Sequence, residues 1–194
     1  MKRIFTTLTM TIFCLSMYAQ EGSWYIGGMA GFTHLKSTSS SGEETTSFSW
    51  DLSPEIGTWL SEDLQLGFSP GLSHRDLGDL DETIIKSYSP GIYARKWHSF
   101  GEKVSVFGGA NLAYNSIEFE NLRSDSKFIG FNIYLDFGLG YAINERLSLL
   151  GRYATFGYVF QKDTDDDSKT SQFGLNANTL SNPFNIGIYY TFKR

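Results

Sequence analysis

The chain has 194 residues, a formal net charge of −5 and 41% hydrophobic residues. With only 19% charged residues, this composition argues against an intrinsically disordered chain, and the negative charge argues against nucleic acid as a partner. No run of about 18 apolar residues follows the N-terminus, which excludes a helical membrane protein.

The first 19 residues predict a secretory signal peptide. A short basic start is followed by an apolar stretch over residues 4–17 and a plausible cleavage site after Ala19. The single cysteine, Cys14, lies within this segment, so the mature chain would carry no thiolate for catalysis or zinc binding. We expect residues 20–194 to form one domain.

Eight β-strands are predicted from the alternation of apolar and polar residues between turn-forming sequences. They cover approximately residues 23–33, 48–58, 65–74, 84–96, 104–117, 129–141, 147–160 and 184–192. The strand at 129–141 has the longest uninterrupted apolar face.

The predicted connections alternate in length. Short turns are expected at 59–64, 98–103 and 142–146, and longer polar loops at 35–47, 75–83, 118–127 and 161–171. Short turns at one end and long loops at the other are typical of bacterial transmembrane β-barrels. We therefore predict an all-β fold, an eight-stranded antiparallel up-and-down transmembrane β-barrel.

The two faces of the predicted strands differ in a way that fits a membrane. The apolar faces carry essentially one charge, Lys86, whereas the opposite faces carry Gly, Ser and Asn, which suit a narrow lumen. A soluble lipocalin-like barrel is the architectural alternative. It would place those small residues outside and the apolar faces inside.

Aromatic residues cluster at the chain start, the short turns and the chain end, all on one predicted rim. Such a cluster predicts a girdle at a membrane interface. The predicted girdle consists of Trp24, Trp59, Trp97, Tyr141 and Phe192.

Five ionisable residues are predicted to face the lumen: Asp51, Glu55, Arg95, Asp136 and Arg152. A turn centred on Asn144 would set Asp136 directly opposite Arg152. The simpler interpretation is a salt bridge that closes and stiffens the interior, since an unpaired charge there would be costly. The alternative is a gate built from the same pair.

Other chemistry is sparse. Neither His34 nor His98 has a partner at the spacing of a catalytic dyad, and His74 with Asp76 is the only pair worth considering. The acidic segment 163–167 predicts a solvated loop rather than a calcium site, because the glycine and the trailing glutamate of a calcium loop are missing. No cofactor and no metal are expected.

Four prolines fall within predicted strands, although a closed barrel has no edge where a missing N–H is harmless. They are Pro54, Pro70, Pro90 and Pro183. A turn centred on Glu62 would set Pro54 opposite Pro70, which predicts a weak ladder there, with or without a bulge.

Segments 54–68, 137–147 and 189–192 together show strand, short turn, strand and an aromatic ending. They resemble the OmpA/OmpX-like eight-stranded barrels of Gram-negative outer membranes. The resemblance implies export, insertion by the barrel-assembly machinery and contact with outer-membrane lipid. One departure is that Lys193 and Arg194 follow the terminal aromatic Phe192.

Three functions follow from this resemblance. The leading hypothesis is a non-enzymatic outer-membrane barrel with a structural role, or with a surface ligand bound through long extracellular loops. The alternative is a narrow channel or carrier for small or apolar solutes, as in OmpW-like relatives. The third is an outer-membrane lipid-modifying enzyme.

Overall fold

The computed structural model describes residues 23–38, 44–78, 83–120, 126–177 and 185–192. The predicted signal peptide, Pro183, Lys193 and Arg194 lie outside the described residues. The described part contains no helix long and apolar enough to cross a membrane. Its strands are β1 (Trp24–Thr38), β2 (Glu44–Trp59), β3 (Leu64–Asp76), β4 (Ile84–Phe100), β5 (Val104–Glu120), β6 (Ser126–Ala142), β7 (Leu147–Asp163), β8 (Lys169–Ala177) and β9 (Asn185–Phe192).

The strands form a closed antiparallel barrel with eight strand positions. Each strand from β1 to β7 pairs with the next along the chain, and β9 pairs with both β7 and β1. The last position is divided, because residues 147–152 of β7 pair with β9 and residues 154–162 pair with β8. The prediction of a single eighth strand at 184–192 therefore missed β8, whose polar sequence gave little apolar alternation.

The strands extend well past their predicted outer ends. β1 continues to Thr38 and β2 begins at Glu44, so most of the predicted loop at 35–47 belongs to the hydrogen-bonded ladder. These extensions were not predicted, because their polar and charged residues show no apolar periodicity. Lys86, near the outer end of β4, pairs at 2.5 Å with Glu120, which lies in such an extension of β5, and this pairing accounts for a charge on the outward face. At the other rim β4 runs to Phe100, so His98 lies in a strand and not in a turn as predicted.

The apolar faces point outward and the small polar faces point inward. On β6, for example, Ile133 and Phe137 are exposed on the outer face, whereas Asp136 is fully buried. This orientation excludes the lipocalin-like arrangement, in which the apolar faces would line the interior. It is the arrangement that hydrocarbon around the barrel requires.

A β-bulge in β7 changes the predicted register against β6. The β6–β7 turn is centred on Glu145, and the register shifts between Phe137 and Gly138. Arg152 therefore lies opposite Gly138, and the prediction that it faces Asp136 directly was wrong. The bulge also turns Val159, predicted to face outward, towards the lumen, because one extra residue reverses the alternation.

Three prolines lie side by side on the outer face of neighbouring strands. Pro70 pairs with Pro90, but the β2–β3 pairing next to Pro54 stops after Leu52 and resumes at Ile56 in the same register. The β4–β5 ladder is also interrupted beside Pro90. Because proline has no N–H to donate, the predicted interruption is present, and the unchanged register shows that there is no bulge.

We expect the amides next to Pro54 and Pro70 to exchange with solvent at least about tenfold faster than those in the centre of β6, since fewer ladder bonds protect them. Hydrogen exchange of the refolded barrel in detergent micelles, read by NMR, measures this. Pro70→Val restores one N–H and should slow exchange at its neighbours. Equal protection in the two regions contradicts the prediction.

Candidate functional site

Four of the five predicted lumen charges form one buried ion cluster: Glu55, Arg95, Asp136 and Arg152. Arg95 donates from Nη1 and Nη2 to the two oxygens of Glu55, at 2.8 and 3.0 Å. Arg152 Nε donates to Asp136 Oδ2 at 3.2 Å, and Arg95 Nε lies 3.6 Å from the same oxygen. The four side chains come from β2, β4, β6 and β7, so the cluster bridges opposite walls of the barrel.

The cluster is electrically balanced, with two carboxylates and two guanidinium groups. Arg95 and Asp136 are fully buried, and Glu55 is nearly so. Burial of a charge costs several kcal/mol per ion, so only mutual pairing makes the arrangement tolerable. The predicted Asp136–Arg152 bridge is thus present as a diagonal contact, and Arg95 joins it to Glu55.

Asp51, the fifth predicted charge, is not part of the cluster. It lies nearer the outer rim, on the wall of a cavity of about 770 Å³ that we call the outer cavity. Its remaining wall is formed by Asn132, Tyr134, Arg152, Thr155, Gly157, Tyr158, Val159, Gln172, Gly174 and Leu175. Arg152 therefore connects the ion cluster to the outer cavity.

An aromatic plug fills the lumen on the inner side of the ion cluster. The Tyr25 and Tyr93 hydroxyls lie 2.7 Å apart in a hydrogen bond, and the Arg95 guanidinium lies 4.1 Å from the Tyr93 ring centre and 5.1 Å from that of Phe107. A guanidinium over an aromatic face is attracted by the ring quadrupole. The plug consists of Tyr25, Met29, Trp59, Tyr93, Trp97, Phe107, Leu150 and Tyr189.

The plug was not predicted, although large aromatic residues and glycines on the inward faces of neighbouring strands indicate it. The Tyr25 hydroxyl lies against Gly57 and Gly67 on the two following strands, where a Cβ would collide with it. Phe107 lies against Gly138 in the same way. Large inward aromatics opposite inward glycines are how a narrow barrel makes room for a filled interior.

The predicted girdle is only partly outward. Trp24, Tyr141 and Phe192 are exposed on the outer face at the inner rim, and their interfacial role stays a prediction. Trp59 and Trp97 instead face the lumen and pack against the plug, 5.9 Å apart between ring centres. Proximity to a turn did not reveal which face of the strand each side chain takes.

The inner rim also carries an exposed ion pair, between Lys96 and Asp63 at 2.6 Å. Asp63 belongs to the β2–β3 turn and also accepts a hydrogen bond from the Ser61 hydroxyl at 2.8 Å. Hydrogen bonds from Lys96 and then Ser61 hold the pKa of Asp63 below its usual value.

The histidines form no catalytic dyad within the described residues. His74 stacks on Trp50 with ring centres 5.9 Å apart. Asp76, its candidate partner, accepts a hydrogen bond from the Gly78 N–H at 2.9 Å instead.

The acidic segment shapes a turn. Asp163 and Asp166 each accept a backbone N–H at 2.8 Å, from Asp165 and Ser168 respectively, and the bonds from Ser168 lower the pKa of Asp166. Asp167 pairs with Lys162. Within the described ranges no group of three His, Cys, Asp or Glu side chains could hold a metal.

Arg95→Leu should lower the free energy of unfolding by about 3–5 kcal/mol, because Glu55 and Asp136 would remain buried without their shared partner. Denaturant titration of the barrel in phospholipid vesicles measures this. Lys96→Ala, which removes the neighbouring exposed cation, is the matched control and should change stability little. Equal effects of the two substitutions would contradict a structural role for the cluster.

A family model described as the outer membrane protein beta-barrel domain matches residues 5–179. No curated protein matches the chain. The solved structure of OprG from Pseudomonas aeruginosa is 15% identical, with 89% of this chain and 97% of that chain covered and a TM-score of 0.52. Neisserial surface protein A is 19% identical, with 88% of this chain and 96% of that chain covered and a TM-score of 0.49. Ail of Yersinia pestis is 15% identical, with 89% of this chain and 99% of that chain covered and a TM-score of 0.48.

At 15% identity the OprG structure speaks for the fold alone, whereas the family model spans most of the chain. The lipid-compatible outer face and the closed ladder agree with it. The chain belongs to the outer membrane protein beta-barrel domain family and is located in the outer membrane.

Proposed function

We propose that this protein is a non-enzymatic, non-conducting outer-membrane barrel with a structural or surface-contact role. The observation that carries the proposal is the occluded lumen. The ion cluster and the aromatic plug block it one after the other, so a solute entering from the outer cavity meets two barriers. An eight-stranded barrel has little spare interior to offer a way around them.

The outer rim is the surface available for contact. Strand extensions carry cross-strand ion pairs, which project charged groups beyond the hydrocarbon. The pairs with their distances are Lys36–Glu44 at 2.6 Å, Lys86–Glu120 at 2.5 Å and Lys127–Glu118 at 2.5 Å. These rigid ladders, rather than long loops, would present a surface ligand site or contact the headgroups of outer-membrane lipid. Insertion by the barrel-assembly machinery is part of the proposal.

Arg152 favours a second candidate, a gated narrow channel. It is the cluster member that reaches the outer cavity, and its Nε donates a hydrogen bond to Asp136 Oδ2 at 3.2 Å. A rearrangement of this pair could open the first barrier. The plug would still have to move for solute to pass.

We expect the wild-type protein to show no stable open state in planar lipid bilayers, because both barriers persist. Arg152→Leu should leave it closed, since the plug remains. Trp24→Ala, which removes an outward aromatic, is the control for insertion. The proposal would be overturned in favour of the channel if the wild-type protein conducts steadily and Asp136→Asn changes that conductance.

The structural and surface-contact roles can be separated in cells. We expect deletion of the gene to raise uptake of a hydrophobic fluorescent dye, and the wild-type chain to restore the barrier. Replacement of residues 164–167 by Asn-Gly keeps the β7–β8 register, in which Asp163 lies opposite Ser168, but removes the acidic tip. If this variant restores the barrier as well as wild type does, the barrel body is responsible. If the variant is as abundant as the wild-type chain but does not restore the barrier, the outer rim is responsible.

A further inference from the structure

The three outward prolines lie in front of a small polar cavity in the lumen wall. This cavity has a volume of about 110 Å³ and adjoins the ion cluster. Its lining includes the inward residues on either side of Pro54, Pro70 and Pro90, and we call it the serine pocket. These six residues are Ser53, Glu55, Ser69, Gly71, Ser89 and Gly91.

The hydrogen-bonded ladder is interrupted along the wall of this pocket. The β2–β3 pairing is interrupted between Leu52 and Ile56, and the β4–β5 pairing beside Pro90. Because proline has no N–H, a carbonyl of the facing strand loses its ladder donor at each interruption. Pro70 lies six residues beyond Leu64, the inner end of β3, and a strand needs about 9–11 residues to cross the hydrocarbon. The interruptions therefore lie at membrane depth.

The missing donors must come from the lumen side of the wall. The prolines face outward into hydrocarbon, which offers no hydrogen-bond donor. The serine pocket lies directly behind them and is lined by the hydroxyl groups of Ser53, Ser69 and Ser89. An apolar molecule in the pocket would leave these polar groups unsatisfied, at a cost in free energy. The occupant must therefore be polar and able to donate hydrogen bonds.

Two buried asparagine side chains at the pocket also need a partner. Asn132 lines the pocket, and its Oδ1 accepts no hydrogen bond from the described residues. Asn115 is 3% exposed and lies opposite Ser89 in the β4–β5 register, and its Nδ2 has no acceptor among the same residues. One atom requires a donor and the other an acceptor. A water molecule provides both.

The charge and the volume of the site favour water over an ion or a larger solute. The neighbouring cluster already pairs two carboxylates with two guanidinium groups. An added ion would bring an uncompensated charge into a buried site. A water molecule takes up about 30 Å³ in the liquid, so a pocket of about 110 Å³ accommodates about three.

We propose that the serine pocket binds a cluster of about three ordered water molecules, which replaces from the lumen side the hydrogen bonds that the prolines remove from the ladder. The waters donate to the backbone carbonyls at the two interruptions and to Asn132 Oδ1, and they accept from Asn115 Nδ2. This site goes beyond the proposed function. It explains how the wall contains three neighbouring prolines without opening to lipid.

Nuclear Overhauser effects (NOEs) from water test the site, with two alanine methyl groups of β5 as probe and control. Ala113 lines the serine pocket and is 7% exposed, whereas Ala110 lies on the exposed outward face. The refolded barrel, with isotope-labelled alanine methyl groups, is placed in nanodiscs of deuterated phospholipid. We expect the NOE from water to build up about tenfold faster at Ala113 than at Ala110, since only Ala113 would contact ordered water.

Ser69→Leu is the blocking variant, because a larger apolar side chain at this position fills the pocket. It should lower the NOE at Ala113 to the level of Ala110. Ser73→Leu makes the same change on the same face of β3 but outside the pocket lining, and should leave the NOE unchanged. Heat-dependent gel mobility reports folding. Ser89→Leu fills the pocket from β4 and replaces Ser69→Leu if that variant does not fold.

Equal NOEs at Ala113 and Ala110 in the wild-type barrel overturn the proposal. A Ser69→Leu variant that folds and keeps the full NOE at Ala113 overturns it as well. Replacement of potassium chloride by choline chloride at constant ionic strength tests an ion as the occupant. A change in the chemical shift of Ala113 contradicts water, since a neutral cluster does not depend on the cation. Conductance is a separate readout, so this site and the proposed non-conducting role can fail independently.

Discussion

Everything in this molecule depends on the pairing of backbone hydrogen bonds in a medium that offers none. Hydrocarbon cannot solvate an N–H or a C=O, so a chain that crosses it with strands must close its sheet. Closure with eight positions fixes a narrow interior, and the strand alternation then sends apolar side chains outward and small or polar ones inward. The places beside the prolines, where pairing fails, are therefore the physically informative ones.

A narrow interior imposes its own constraint, because any charge inside must find a partner within a few ångströms. Arg95 satisfies this by a two-point contact with Glu55 at 2.8 and 3.0 Å and by a longer contact with Asp136 at 3.6 Å. The guanidinium also rests on Tyr93, which ties the ion cluster to the aromatic plug. The cluster and the plug thus form one continuous filling, and occlusion of the lumen is a consequence of making the interior stable.

The two halves of the barrel divide the roles. The inner half is filled by the plug and has exposed aromatics at its rim. The outer half contains a cavity, a divided eighth strand and charged ladders that continue past the hydrocarbon. The regions that can respond to a ligand or a lipid are those with the fewest hydrogen bonds and contacts, as local stability would predict. The proposed contact surface falls in this outer half.

The sequence by itself determined the fold class, all eight strand positions with the last one only in its inner part, the outward apolar face and the lumen location of Glu55, Arg95, Asp136 and Arg152. These follow from a period of two, which is a local property of the chain. Only the tertiary structure decided what depends on neighbours: the turn that set Arg152 opposite Gly138, the bulge that reversed the later residues of β7, the inward turn of Trp59 and Trp97, and the addition of β8. A single inserted residue reverses every later side chain. A polar strand such as β8 is defined by the edge it pairs with and not by its own composition.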